Sequence, residues 1–192
     1  MSDDPVELTR ALLREKAILE LDEPVELASG AMSRFFVDGK AGLARAEDLR
    51  LACEALLAVV ERAGLHFDAV GGMTLGADHL AVGVALAADR SWFFVRKEPK
   101  GRGTGRQIEG AALGPGTRVL VVEDVVSTGG SLLRAVDVIQ ATGATVVAAA
   151  TLLDRGTSAG PALNERGIPL LAIADFGHYG MEPIDAPQPV AG

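Results

Sequence analysis

The chain has 192 residues, 48% of them hydrophobic and 23% charged, enough for a full hydrophobic core. Its net charge of −8 argues against a general nucleic-acid or membrane-surface binder, because such proteins rely on excess positive charge. The acidic start MSDDPVEL lacks the basic segment and apolar core of a signal peptide, and no apolar run approaches the roughly 20 residues that span a bilayer. The single cysteine, Cys53, excludes an internal disulfide and any multi-cysteine metal site, so a cytoplasmic protein is expected.

In chain order, Leu8, Ala11, Leu12 and Leu19 are expected on one face of an opening helix with Pro5 in its first turn. In VELASGAMSRFFVDGK, residues 25–40, Ser29-Gly30 reads as a turn between two short strands. Residues 46–63 form a second amphipathic helix closed by Gly64, and Cys53 falls at helical spacing with Leu49, Leu56 and Val60, as a core thiol does. From Asp68 onward short apolar strands alternate with helices. Strands are expected at 69–72, 92–96, 118–122, 145–153 and 169–176, and helices at 78–88, 131–142 and 159–166. The nearly continuous apolar runs RVLVV and TVVAAATLL suit strands covered on both faces. This alternation predicts an α/β fold, a doubly wound parallel sheet of about five strands with an N-terminal α+β cap. The whole chain reads as one domain, with the cap to about residue 65, the core over 66–180 and a proline-rich, extended tail over 181–192. Residues 97–116 carry many glycines and no periodicity, which marks a functional or disordered loop. His66, His79 and His178 have no ligand spacing and predict no metal site, while Asp78 reads as a helix cap.

The stretch VLVVEDVVSTGGS, residues 119–131, puts two acids at the end of an expected strand and a glycine-broken turn before a helix. Ligands of open parallel sheets bind beyond the carboxyl ends of the strands. Gly129 and Gly130 let the backbone curl its N–H groups inward. The helix N-terminus adds partial positive charge, and Ser127, Thr128 and Ser131 add hydroxyl donors. The turn is neither a Walker loop nor a dinucleotide fingerprint. Three readings stand side by side: a ribose-phosphate site in which Glu123 and Asp124 hold hydroxyls, a capped helix after a strand, and a Mg²⁺ site made by the acids. Upstream, residues 96–106 gather five basic side chains and one acid in an acidic protein, with half of its four lysines. A polyanionic small molecule accounts for that better than a solvated loop or a nucleic-acid contact.

VLVVEDVVSTGGS resembles the PRPP-binding motif of the type I phosphoribosyltransferases, and VRKEPKGRGTGRQIEG resembles the mobile catalytic loop of the orotate phosphoribosyltransferases. SGAMSRFFVDGK is similar to that family's segment near the orotate site, VGGMTLGAD to its first core-strand loop near pyrophosphate, and LLDR to the strand end whose arginine faces orotate. The resemblance covers roughly residues 5–156. It implies transfer of the phosphoribosyl group of PRPP to orotate, with Mg²⁺ carried by PRPP and no protein metal site. It further implies a homodimer with the site shared across the interface, and no nucleic-acid or membrane partner. By the same resemblance, Lys97, Lys100, Arg96, Arg102 and Asp124 are catalytic. PRPP binds through Arg96, Lys97, Lys100, Arg102, Glu123, Asp124, Val125, Val126, Ser127, Thr128, Gly129, Gly130 and Ser131. Orotate binds through Ser127, Arg155, Phe35 and Phe36, of which strand alternation lets one phenylalanine face the ligand. The chain departs from the family pattern at Arg102, where a histidine is usual, and at Ala28, where some members carry lysine. Transfer to xanthine or uracil, and a PRPP-sensing regulator without activity, are the alternative functions.

Overall fold

Asp4 caps the first helix by accepting a hydrogen bond from Val6 N–H at 3.0 Å, and Pro5 supplies a φ already suited to a first turn. In the computed structural model, which describes residues 3–27, 30–99 and 106–184, this helix is α1 (Pro5–Lys16). Its buried stripe is Val6, Thr9, Leu12 and Leu13. The expected face through Leu8 and Ala11 is exposed, and Leu19 lies beyond the helix in a strand. The stripe that matters is the one turned to the next long helix, where Lys16 pairs with Asp48 at 2.8 Å. Strands β1 (Ile18–Glu26) and β2 (Met32–Val37) form an antiparallel hairpin, with Ile18 opposite Val37 and Glu26 opposite Met32. Gly30 turns with φ +82°, while Ser29 and Ala28 lie outside the described residues. A short helix, α2 (Gly39–Gly42), follows, capped by Asp38 through Ala41 N–H at 3.0 Å.

Helix α3 (Ala46–Arg62) buries Ala52, Cys53, Ala55, Leu56 and Val60, so Cys53 is a core thiol. The remaining elements are β3 (Ala69–Met73), α4 (Asp78–Ala88), β4 (Ser91–Val95), β5 (Ile108–Gly110), β6 (Arg118–Val126), α5 (Gly130–Gln140), β7 (Thr145–Asp154), α6 (Ala159–Asn164) and β8 (Leu170–Asp175). A 3₁₀ turn (Phe176–Tyr179) opens on a capping box between Asp175 and His178. The central sheet has the order β5-β4-β3-β6-β7-β8, all parallel except the β4–β5 pair. It is therefore a mixed sheet of six strands where about five parallel ones were expected. The extra strand, β5, is three residues long and sits next to the glycine-rich stretch, too short to leave a period-two signal.

Alternation along the inner strands divides the core between the two faces of the sheet. Leu120 and Val122 of β6 join Leu56, Leu80 and Val84 on the face covered by α3 and α4. Val119 and Val121 join Leu132, Val136 and Ile139 of α5 on the other. Helices on both faces explain why RVLVV and TVVAAATLL are nearly continuous apolar runs, without period-two alternation. The described part of the tail does not stand free: Met181 and Ile184 are buried, and Ile184 N–H donates to the Arg155 carbonyl at 2.7 Å. Among the described residues no helix is long and apolar enough to cross a membrane.

Candidate active site

The chain lays β4 on one side of β3 and β6, β7 and β8 on the other, so the strand order reverses between β3 and β6. A crevice at the carboxyl ends of such a pair is where ligands of open α/β sheets bind. Glu123 and Asp124 lie there. They are inside β6 and not past its end, because β6 keeps pairing with β7 through Val126 opposite Asp154. Both acids are nearly buried, at 7% and 8% exposure. Burial, and then the charge of Asp124, push the Glu123 carboxyl up to about 8. Asp124 accepts from Val125 N–H at 2.8 Å and from Lys40 Nζ at 3.1 Å. The loop after β3, which holds a cis Thr74–Leu75 peptide, lies directly against the pair. A Cβ on Gly76 would stand 2.1 Å from Glu123 Oε1 and 3.0 Å from Asp124 Oδ1. Only glycine lets the backbone come so close.

Gly129 occupies the N-cap of α5 with φ +81°, and no side chain caps this helix. Its first N–H groups are left for a ligand. A cavity of about 390 Å³ opens over this end, lined by Glu123, Val125, Val126 and Ser127 through Ser131. Arg155, at the end of β7, enters the same cavity from the far side and is only 3% exposed. It donates to Ser33 Oγ at 3.1 Å, but its Nε has no partner. Burial draws its pKa down from the ordinary value, yet a guanidinium stays charged at any physiological pH. A buried guanidinium that lines a cavity and keeps an unpaired donor is suited to a carboxylate or similar planar anion.

The hairpin closes the cavity with Leu27, Phe36 and Val37. Phe36 is 43% exposed and lines it, whereas Phe35 packs against the core, so alternation separates the two rings as expected. On the other side of Asp124 a second cavity of about 650 Å³ is bounded by Lys40, the 74–76 loop, Phe94, Arg96, Lys97, Glu98 and Glu109. Arg96 faces Glu109 at 3.7 Å, and its N–H donates to the Gln107 carbonyl at 2.8 Å, pinning the base of the basic loop to the sheet edge. Lys100 and Arg102 lie outside the described residues.

The structure thus brings together Glu123, Val125, Val126, Ser127 to Ser131, Arg155 and Phe36 around one cavity, sets Asp124 beside Lys40 and Gly76, and places Arg96 and Lys97 on the neighbouring cavity. Asp78 is not the helix cap it was expected to be. Ala77 holds that position, and Asp78 Oδ1 and His79 Nε2 are buried without partners. Ser33 and Lys40 escaped notice as individual site residues. Both sit within SGAMSRFFVDGK, and only the folding back of the hairpin shows what they meet. Among the described residues no three or more His, Cys, Asp or Glu side chains converge as a metal cage.

The fold and the site together define a phosphoribosyl transferase domain, and the family of that description matches residues 44–166. The orotate phosphoribosyltransferase of Thermococcus kodakarensis is 35% identical over 185 residues, spanning 95% of this chain and 98% of that protein. The crystal structure of Mycobacterium tuberculosis orotate phosphoribosyltransferase with Fe(III) dicitrate is similar at a TM-score of 0.76 and 34% identity, covering 92% of this chain and 99% of that one. The same mycobacterial enzyme in complex with PRPP is similar at a TM-score of 0.73 and 32% identity over 92% and 99% of the two chains. The chain belongs to the orotate phosphoribosyltransferase family.

Proposed function

We propose that the protein transfers the phosphoribosyl group of PRPP to orotate, giving orotidine 5′-monophosphate and pyrophosphate, as a step in making UMP. The observation that carries this is one cavity lined by the buried Glu123, the uncapped N-terminus of α5 and the buried Arg155, with the equally buried Asp124 next in the strand. Glu123 and Asp124 accept the ribose 2′- and 3′-hydroxyls, and the 127–131 turn holds the 5′-phosphate through backbone N–H groups and hydroxyls. Arg155 takes the orotate carboxylate, with Ser127 and Phe36 beside the ring.

Orotate N1 then displaces pyrophosphate from C1 with inversion, through a transition state in which positive charge grows on the ribose and negative charge on the leaving group. PRPP enters as its Mg²⁺ complex, and the metal helps to neutralise the diphosphate. Arg96 and Lys97, joined by Lys100 and Arg102 of the same loop, stabilise the departing charge, an effect worth about 10²–10³ in rate for one such group. Closure of that loop keeps water from hydrolysing PRPP. Arg102 supplies charge but no transferable proton at neutral pH. We read the protein as a cytoplasmic homodimer acting on small molecules, with no nucleic-acid or membrane partner. Exposed Leu75 and Leu86 at either end of α4, with Trp92 on the next strand, are apolar surface that a second copy would cover.

The test is to incubate the protein with PRPP, Mg²⁺ and a panel of bases. Loss of orotate absorbance with release of pyrophosphate is expected. Turnover of xanthine or uracil with orotate untouched would overturn the choice of base, and PRPP binding without turnover of any base would overturn catalysis.

A further inference from the structure

Between the two cavities stands a cation with no place in the PRPP motif or the basic loop. Lys40 rises from α2, and its Nζ lies 3.1 Å from Asp124 Oδ2. The base of the side chain is fixed, because Asp38 caps the helix and a Cβ on Gly39 would come within 3.2 Å of Asp124 Cβ. Its end is open to solvent: the Lys40 side chain is 56% exposed, against 11% for Asp124. Burial works against its charge, but the nearby Asp124 carboxylate outweighs this and holds the Lys40 pKa above its ordinary value.

The ammonium also borders the second cavity, with Thr74, Gly76, Arg96 and Lys97. Among the described residues lining that cavity, Arg96 and Lys97 are balanced by Glu98 and Glu109, so Lys40 is what makes it positive. A ribose whose hydroxyls rest on Glu123 and Asp124 carries its C1 substituent next to those hydroxyls. A diphosphate at C1 therefore extends past Asp124 toward Lys40. Ribose hydroxyls donating to Asp124 would also replace the hydrogen bond that the lysine now supplies.

We propose that Lys40 is a pyrophosphate-contacting residue, paired with Asp124 in the free protein and turned to the diphosphate when PRPP binds. The proposal rests on the phosphoribosyl reading of the site and adds to it a cation from the N-terminal segment. Through Lys40 the ribose grip and the leaving-group cavity share one charge, so filling the first frees a cation for the second.

The experiment measures binding of inorganic pyrophosphate with Mg²⁺, and separately of inorganic phosphate, by calorimetry. It compares wild type, Lys40→Met, Lys40→Arg, Asp124→Asn and the Lys40→Met/Asp124→Asn double variant. Lys40→Met is expected to weaken pyrophosphate binding about 10–100-fold, the scale of a hydrogen bond to a charged group. The loss should persist in the Asp124→Asn background, with partial recovery in Lys40→Arg and unchanged phosphate affinity and melting temperature. No loss in Lys40→Met, or a loss that vanishes once Asp124 is neutral, overturns the proposal and leaves Lys40 a counterion of Asp124. An equal fall in phosphate affinity and melting temperature overturns it as well, by making the role structural. Lys40-dependent pyrophosphate binding by a protein that turns over no base would keep this inference and reject the enzymatic one. Absence of any pyrophosphate binding by wild type would reject both.

Discussion

The Glu123 carboxyl is where the demands of folding and of ligand binding conflict most plainly. Held at about 8 by burial and by Asp124, it binds its proton more tightly in the folded chain than in the unfolded one, where its ordinary value is 4.5. Folding stability should therefore fall as pH rises through the window from 4.5 to about 8, and level off on either side. Glu123→Gln removes that slope, so the variant should melt above wild type at pH 8 and near it at pH 5. Each kcal/mol recovered is worth about 2–4 °C in a chain of this size. Thermal melts across pH decide it, and parallel curves for the two proteins would show that burial costs Glu123 nothing. Arg155 presents the converse case, a buried cation whose Nε still lacks an acceptor. Replacing it with Gln should raise the KM for orotate about 10-fold or more, the scale of a charge-assisted pair, while leaving the KM for PRPP nearly unchanged. A matching rise in both constants would deny it a role in choosing the base. Cys53, by contrast, has its thiol pushed up to about 12 by burial and should resist thiol reagents until the chain unfolds.

At the scale of elements, two glycines separate the shape of the site from the stability of the fold. Gly76 brings the β3–α4 loop onto the acids, and the atom its Cβ would strike is the movable end of Glu123. Gly76→Ala should displace that carboxylate and raise the KM for PRPP about 10-fold, with the melting temperature little changed. Gly129 holds φ +81°, and its Cβ would stand 2.6 Å from Ala159 Cβ, which cannot swing away. Gly129→Ala should therefore cost about 1–3 kcal/mol of stability as well as phosphate binding. Parallel melting and kinetic measurements separate the two variants, and a stable Gly129→Ala protein would refute the assigned strain. The same elements show what the sequence made legible. A strand, two acids and a glycine turn before a helix are consecutive, so their order alone locates the mouth of the sheet and the ligand cradle. β5 was invisible because a three-residue strand beside a glycine-rich stretch has no period of its own. The inward face of α1 is not legible in the sequence, because Leu8, Ala11 and Leu12 are all apolar and only the position of α3 decides which of them is buried. Ser33 and Lys40 were hidden for a stronger reason: each meets its partner across 122 and 84 residues of chain, a distance that no local pattern encodes.

For the molecule as a whole, the arrangement of the site turns on whether one chain holds all the groups that the reaction uses. The base of the 96–106 loop is fixed at the edge of the sheet, where Arg96 N–H donates to Gln107 and β4 pairs antiparallel with β5. A homodimer with its site shared across the interface, as the family resemblance implies, requires Lys100 to act in the neighbouring copy, and a self-contained chain requires it to act in its own. Two disabled variants distinguish these arrangements. Lys100→Ala leaves the ribose grip intact and removes a charge from the loop, while Asp124→Asn does the reverse. Each alone should lower kcat by about 10²–10³. If the loop acts across the interface, a mixed dimer has one site in which both defects fall and one in which neither does. Mixing the two proteins under conditions of demonstrated subunit exchange should then restore activity to about a quarter of the wild-type value, because half of the dimers are mixed and half of their sites are whole. If each chain closes its own loop, every site in every combination keeps one defect, and mixing restores nothing.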